Sequence, residues 1–436
     1  MATELQHRAA LQEAAQRLGD EAIKLAEALI AHPSEIVPGG GNEGPAQHFL
    51  ADYLKDKGYD TIDVFTPDSV PGAQEHEAWW PNQTYMDRPN VVAVRKGKGG
   101  GRNLILNGHM DVVPAGDRAQ WAHDPFDPIQ RDGYLYGRGA CDMKSGIAVM
   151  CMAMEALRQA GVQLAGDVIL ESVVCEETGV YNGTLACCLK GYKADGAVVL
   201  EPTNLDICTG LKGNHVYEVE IPGKATHNCL WWRGNSAFDH AIYFKEGMKR
   251  FEDLRTAQLR HHPLYHDADY FPTPALVDDI WYLKAGEAHF FAVPDQAKLM
   301  FMVEMLPGEN REQVKQQFER FMGSWCAAHP YLKDHPPVFH SPDFRPIYPT
   351  AVSLEDPLVQ LMQQSLMQLR GQRANTRGFE SACDAMTLTL WGDTPAIMYG
   401  PGLLENAHEI NERVEVAQIR QAVGELAEFI RRYCGE

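Results

Sequence analysis

The sequence has no uninterrupted apolar run approaching the roughly 20 residues that cross a bilayer, and no Lys/Arg block longer than a few residues. The first absence speaks against a membrane-spanning helix, and the second against a broad nucleic-acid or anionic-membrane surface. A count of 39 basic against 59 acidic residues, a formal net charge of −20, points the same way. Residues 1–30 mix acids, bases and apolar groups instead of joining a basic start to an apolar stretch, so no signal peptide is expected. Cysteine is sparse. Ten thiols spaced irregularly, with no CxxC pair, exclude a dense disulfide framework and leave reduced thiols as the expectation. Internal repeats and low-complexity tails are missing too. What is present, 45% hydrophobic residues over 436 positions, suffices for a large core in two or three domains at about 150 residues each. A soluble, cytoplasmic enzyme is the class these features favour.

Apolar residues at helical spacing predict one or two amphipathic helices from Thr3 to about Ala31, and a helix from about Pro45 to Lys57 stopped by Gly58. VVAVRKG and NLILNGHMD read as strands, the Ala/Met/Leu-rich IAVMCMAMEALRQA as a buried helix, and DVILESVVCEETG and ADGAVVLEPTN as further strands that end in acids. This alternation predicts an α/β domain with a mixed sheet flanked by helices. From about Gly213 the pattern changes to HVYEVEIPG, a helix from about Asn235 to Phe251, IWYLKAG, LMFMVEML and the helix REQVKQQFERFMGSWCAA, which fit a small α+β insertion. Helices at about Pro357–Leu369 and Val414–Arg432 return to the first domain. The expected division is 1–212 and 345–436 for the catalytic domain and 213–344 for the insertion.

Chemistry gathers where strands or Gly-rich turns end: His109-Met110-Asp111, Cys141-Asp142-Met143-Lys144, Glu176-Glu177-Thr178-Gly179, Glu201-Pro202-Thr203 and Asn406-Ala407-His408-Glu409. In α/β proteins the carboxyl ends of strands are where sites are built. Imidazole nitrogens and carboxylate oxygens suit Zn²⁺, Co²⁺ or Mn²⁺, and a carboxylate with two oxygens can bridge two ions. Each segment alone has an ordinary explanation, such as an Asp142–Lys144 salt bridge or a solvated Glu176-Glu177 helix start. Five together point to two metals, one held by His109, Asp142 and Glu201 and the other by Asp142, Glu177 and His408.

These segments resemble the M20 family of metallopeptidases and amidohydrolases, which includes acetylornithine deacetylases, succinyl-diaminopimelate desuccinylases, aminoacylases and glutamate carboxypeptidases. The resemblance is carried by LILNGHMDVVPAG, the W-x-x-x-P-F-x-P segment from Trp121, YGRGACDMKSG, EETG, ADGAVVLEPT, GKATHN and GLLENAHEINE, over nearly the full length. It implies a co-catalytic dimetal hydrolase with an inserted lid domain often used for dimerisation; Zn²⁺ is the expected ion, with Co²⁺ or Mn²⁺ as alternatives. His109, Glu177, Glu201 and His408 match the terminal ligands, Asp142 the bridging ligand and Glu176 the general base. Asp111 matches the acid that orients the first histidine, and His227 in GKATH a histidine that stabilises the oxyanion, commonly from the partner subunit's lid. The resemblance also implies a cis peptide at Asp142-Met143. Asn235, Arg377 and Gly378 fall where substrate often borders such sites.

The match thins in two places. Many relatives carry D-x-R-x-x-P-G in a lid strand, with the Arg available to a substrate carboxylate; here Met302 and Glu304 stand at the Asp and Arg positions. A carboxylate cannot replace a bidentate guanidinium, so the substrate is expected to be gripped differently, by Arg377 or as a cationic or neutral molecule. Around Asp384 the chain reads GFESACDA, and Cys383 among apolar neighbours is expected to be a buried thiol. The aromatic pieces Trp231-Trp232, Trp281-Tyr282 and Phe290-Phe291 are expected in the lid core or a dimer contact, or else lining an apolar pocket. The activity expected is cleavage of the amide bond of a small N-acyl amino acid or related amide. A dipeptidase or carboxypeptidase is the alternative, and a non-catalytic binding protein a weaker one. No nucleic-acid or membrane partner is expected.

Overall fold

The computed structural model describes residues 2–81, 83–277, 279–286 and 291–436, with side chains from residue 7 onward. Along the chain run α1 (Ala2–Ile30), α2 (Gly44–Leu54), β1 (Thr61–Phe65), β2 (Asn90–Arg95), β3 (Leu104–His109), α3 (Ser145–Gln159), β4 (Val168–Val173), α4 (Gly183–Lys190), β5 (Gly196–Val199) and β6 (Ile207–Leu211). Next come β7 (Gly213–Pro222), α5 (Ala237–Leu259), β8 (Asp279–Ala285), β9 (Gln296–Met305), α6 (Arg311–Ala327) and β10 (Val338–His340). The chain ends with α7 (Pro357–Arg370), α8 (Ala385–Leu390), β11 (Ala396–Met398) and α9 (Val416–Cys434). Two compact units result: Met1–Thr209 with Val352–Phe379 and Cys383–Glu436, and Gly210–Ala351 with Glu380–Ala382. No described helix is long and apolar enough to cross a membrane.

In the first unit the strand order β6-β11-β5-β3-β4-β2-β1 makes a mixed sheet. β11, β5, β3 and β4 are parallel, and the flanking pairs are antiparallel. Their near-continuous Val/Ile/Leu/Ala runs are buried, as a sheet covered on both faces requires. Helix α3 is buried at every position from Ser145 to Leu157, which makes it a core helix, and it packs with α1 and α9. α1 is a single helix because its buried stripe (Leu11, Ala15, Leu18, Ala22, Leu25, Leu29) continues across Gly19.

The second unit is an antiparallel sheet of order β8-β9-β7-β10. β7 alternates strictly between buried and half-buried residues, the period-2 pattern of a sheet with one covered face. Tyr217, Val219, Ile221, Leu299 and Phe301 form a core with Phe244, Met248 and Phe251 of α5 and Phe318 and Met322 of α6. α5 outruns its expected end at Phe251 and continues to Leu259. The segment EDLRTAQL contains no Gly or Pro, so nothing stops the backbone hydrogen bonding where the apolar stripe fades. The aromatic pieces are not core: Trp231, Trp232, Trp281, Tyr282 and Phe291 are exposed. Trp281 and Tyr282 lie on β8, an edge strand with one neighbour among the described residues, and Phe290 falls outside them.

Candidate metal centre

Three parallel strands deliver the site. β3, β4 and β5 are paired with Leu106 opposite both Leu170 and Val198, so they end together at one edge, where His109 closes β3, Glu176 and Glu177 follow β4, and Glu201 follows β5. Asp142 comes from the Ala140–Lys144 turn that leads into α3, and His408 from the loop between β11 and α9. Cys175 and His408 both have left-handed backbone (φ 69° and 59°), a conformation that costs a non-Gly residue of order 1–3 kcal/mol and that clusters at functional sites. Close approach here requires glycine: a Cβ on Gly146 or Gly400 would lie 2.4 Å from the Leu200 carbonyl oxygen, beside Glu201. The Asp142–Met143 peptide is cis.

Asp142 divides its carboxylate between two groups. Its Oδ1 lies 3.0 Å from His109 Nε2, while its Oδ2 lies 3.5 Å from His408 Nε2. His109 Nε2 is also 4.0 Å from Glu201 Oε1, and His408 Nε2 is 3.0 Å from Glu177 Oε2. Two sets of potential ligand atoms follow, His109–Asp142–Glu201 and Asp142–Glu177–His408, each with its atoms within 4.8 Å of one another. The first set is buried, whereas the His408 side chain is 52% exposed, so the second opens to solvent. His109 donates its Nδ1–H to the Asp111 main-chain carbonyl at 2.8 Å, which fixes the ring so that Nε2 is the nitrogen turned to the cluster. The donor set fits a divalent ion such as Zn²⁺, Co²⁺ or Mn²⁺. Glu201 Oε1, buried among these groups, has no hydrogen-bond donor among the described residues, as expected of an atom that awaits a cation.

The electrostatics agree. Burial raises Glu176, Glu177 and Glu201, and neighbouring carboxylates add to it, with Glu177 reaching about 7. Burial opposes the charged form of His109, yet the Asp142 hydrogen bond and the surrounding acids hold it well above the usual histidine range. Hydrogen bonds to Asp142 and Glu177 lift His408 to about 10. Asp142 is held below the usual range by both histidines, against its burial. Four carboxylates and two imidazoles thus share too much negative charge for the protein's own cations.

The other residues named from sequence have these places. The Asp111 carboxylate lies 3.8 Å from His109 Nδ1. It accepts the amides of Glu176 at 3.3 Å and Glu177 at 3.0 Å, fixing that turn, because its own carbonyl already holds the histidine. Lys144 does not pair with Asp142; its buried ammonium donates to the carbonyls of Leu29 and His32. Arg377 is buried and donates to Asp206 at 2.9 Å and to the carbonyls of Gly378 and Thr203. Asp384 is buried, and burial pushes the Cys383 thiol well above its ordinary range. In the second unit His227 is exposed and caps a short helix by accepting Cys229 N–H, while Asn235 pairs with Lys224 through the main chain. Glu304 is buried and bound to Lys212 at 2.9 Å. None of the ten cysteines forms a disulfide. Glu412, the last residue of GLLENAHEINE and four residues past His408, carries no local signal of its place, buried against the Asp142 turn.

Residues 105–432 match the model of the family described as Peptidase family M20/M25/M40. The chain is 30% identical over 443 aligned positions to N-formyl-4-amino-5-aminomethyl-2-methylpyrimidine deformylase of Bacillus subtilis (strain 168), with 97% of each chain covered. It is 29% identical to the protein of the same name from Halalkalibacterium halodurans, with 95% of each covered. Among solved structures, the dipeptidase Dug1p of Saccharomyces cerevisiae superimposes with a TM-score of 0.71 at 12% identity, covering 98% of this chain and 99% of that one. With ligand clusters of the right chemistry on a matching fold, the chain belongs to peptidase family M20/M25/M40 and is built as a metal-dependent hydrolase.

Proposed function

We propose that the chain is a dimetal amidohydrolase that removes a short acyl group, formyl above all, from a small amine lacking a carboxylate. The observation that carries the dimetal part is the Asp142 carboxylate, with one oxygen toward each histidine. His109, Asp142 and Glu201 would hold one ion and Asp142, Glu177 and His408 the other, with Zn²⁺ first and Co²⁺ or Mn²⁺ satisfying the same donors. Bound there, such ions polarise an amide carbonyl and lower the pKa of water. Glu176 accepts a proton from the water that attacks the carbonyl carbon and returns it to the nitrogen as the C–N bond breaks, giving an acid and an amine. Asp111 holds Glu176 and Glu177 through their amides. His227 is proposed as oxyanion donor on the strength of its GKATH motif, and Asn235, Arg377 and Gly378 as substrate neighbours on sequence position alone.

Two observations support the substrate class. The strand position at which many relatives place an Arg carries Glu304, already neutralised by Lys212, and the full-length relatives are named for deformylating an aminopyrimidine. A cytoplasmic homodimer joined through the inserted unit belongs to the same reading and rests on the family resemblance.

The test incubates metal-loaded protein with an N-formyl aminomethylpyrimidine, N-acyl amino acids and dipeptides, and reads products by mass spectrometry against a Glu176→Gln blank. Formate and free aminopyrimidine, absent from the blank, are expected; cleavage of dipeptides or N-acyl amino acids alone would overturn the substrate class. Mixing His227→Ala with Glu176→Gln protein restores turnover if His227 acts across a dimer.

A further inference from the structure

Glu412 lies in the same late segment as His408 but is not a ligand candidate, and its carboxylate is only 1% exposed. Its Oε1 accepts the amides of Cys141 at 2.8 Å and Asp142 at 3.0 Å, and its Oε2 accepts the amide of Gly139 at 3.0 Å. Arg138 Nη1 closes the arrangement with a buried salt bridge of 2.7 Å to the same Oε2. The Glu412 main-chain carbonyl accepts the Gly137 amide as well. One side chain thus gathers the whole turn that presents Asp142, a turn whose backbone is not helical at Asp142 and is left-handed at Gly139 (φ 85°). The turn bonds the Ala140 and Lys144 amides to its own Gly137 and Gly139 carbonyls, while the amides of Gly139, Cys141 and Asp142 go to Glu412; buried amides need such partners, and charge-assisted bonds to a buried carboxylate are the strong kind.

The consequence reaches both metal positions, because Asp142 is the one residue common to both ligand sets. We propose that Glu412 is a positioning residue that fixes the Asp142 main chain so that one carboxylate oxygen faces each ligand set, and that it thereby couples occupancy of the two metal positions. The proposal rests on the dimetal reading above. A glutamine in its place keeps one acceptor oxygen and turns an NH₂ group toward amides that need an acceptor, so the turn loses its register while the ligands stay unchanged.

The test is metal binding by Glu412→Gln, followed by calorimetry and by the visible and EPR spectra of the Co²⁺-loaded protein. Loss of a bond that orients a ligand typically lowers metal affinity 10–100-fold. Both ions are expected to weaken together by about tenfold or more, with changed Co²⁺ bands and weakened coupling between the two ions, whereas His408→Ala weakens one ion only. A merely structural role would lower the melting temperature of the metal-free protein and leave the spectra of the loaded protein as in the parent. Two tightly bound ions with parental spectra in Glu412→Gln would overturn the proposal. Should that variant not fold, amide hydrogen exchange of the unaltered metal-free protein decides. Protected amides at Gly139, Cys141 and Asp142 support the proposal, and exchange at unstructured rates until metal is added overturns it. An unaltered protein that binds no divalent ion would instead remove the dimetal reading, a separate result from either of these.

Discussion

Buried carboxylates occur in both units, and most are paired with a cation, as Glu412 is with Arg138 in the first unit; the acids of the metal cluster differ. In the second unit, Glu304 binds Lys212, and Glu252 binds Lys249 and the Val277 amide. In the first unit, the acids at the ends of the parallel strands meet one another and two histidines: Asp142, Glu176, Glu177 and Glu201 crowd together and several are pushed up in pKa. A buried acid with a matched cation holds structure together, since removing one partner strands the other. A buried cluster with surplus negative charge is stable only with protons or added cations, which is the condition of a metal centre.

Mutations that exchange these two situations test the contrast. The largest effect is expected from Glu176→Gln: turnover falls by about 10²–10⁴-fold, the usual contribution of a general base, while metal content by elemental analysis stays at two ions. Unchanged turnover would remove Glu176 from that role. Next, His408→Ala is expected to lose one ion and keep the other, because His109, Asp142 and Glu201 remain; retention of both would end the assignment of His408. In the second unit, Glu304→Ala leaves Lys212 without its acid and is expected to cost about 3 kcal/mol of stability, seen in denaturant unfolding, with metal content unchanged. A loss of metal there would erase the distinction between the two kinds of buried acid.

The smallest effect concerns pH. His215 in β7 is pushed down to about 4, by burial first and then by Arg311 and Lys315. Its folded value lies below the unfolded value of about 6.5, so the unfolded chain binds the proton more readily. Its contribution is fully present above about pH 6.5 and is lost as pH falls toward about 4. His215→Gln is expected to flatten the melting temperature of the metal-free protein over that window; an unchanged slope would show that His215 does not titrate there.

Much of the fold was legible because its signals are local. The buried strands before His109, Glu176 and Glu201, the all-apolar α3 and the alternating β7 follow from periods of two and 3.6 residues and from the glycines between them. The ligand candidates were legible for the same reason, each being a short polar segment at a strand or turn end. Partners distant along the chain were not. Nothing near Glu412 tells that it accepts amides about 270 residues earlier, and nothing near Glu304 tells of Lys212. Asp111 shows the limit most closely: two residues from His109, it holds the ring through its carbonyl while its carboxylate serves a turn 65 residues on.

By itself, then, the sequence determined the element types, the two-part organisation and the set of side chains able to bind metal, since these depend on periodicity, turn chemistry and residue type. The tertiary structure alone decided which oxygen of Asp142 faces which histidine, which buried acids are neutralised by a cation and which are left to one another. Those outcomes depend on distances of a few ångströms between segments far apart in the chain, and Coulomb and hydrogen-bond energies are set by such distances.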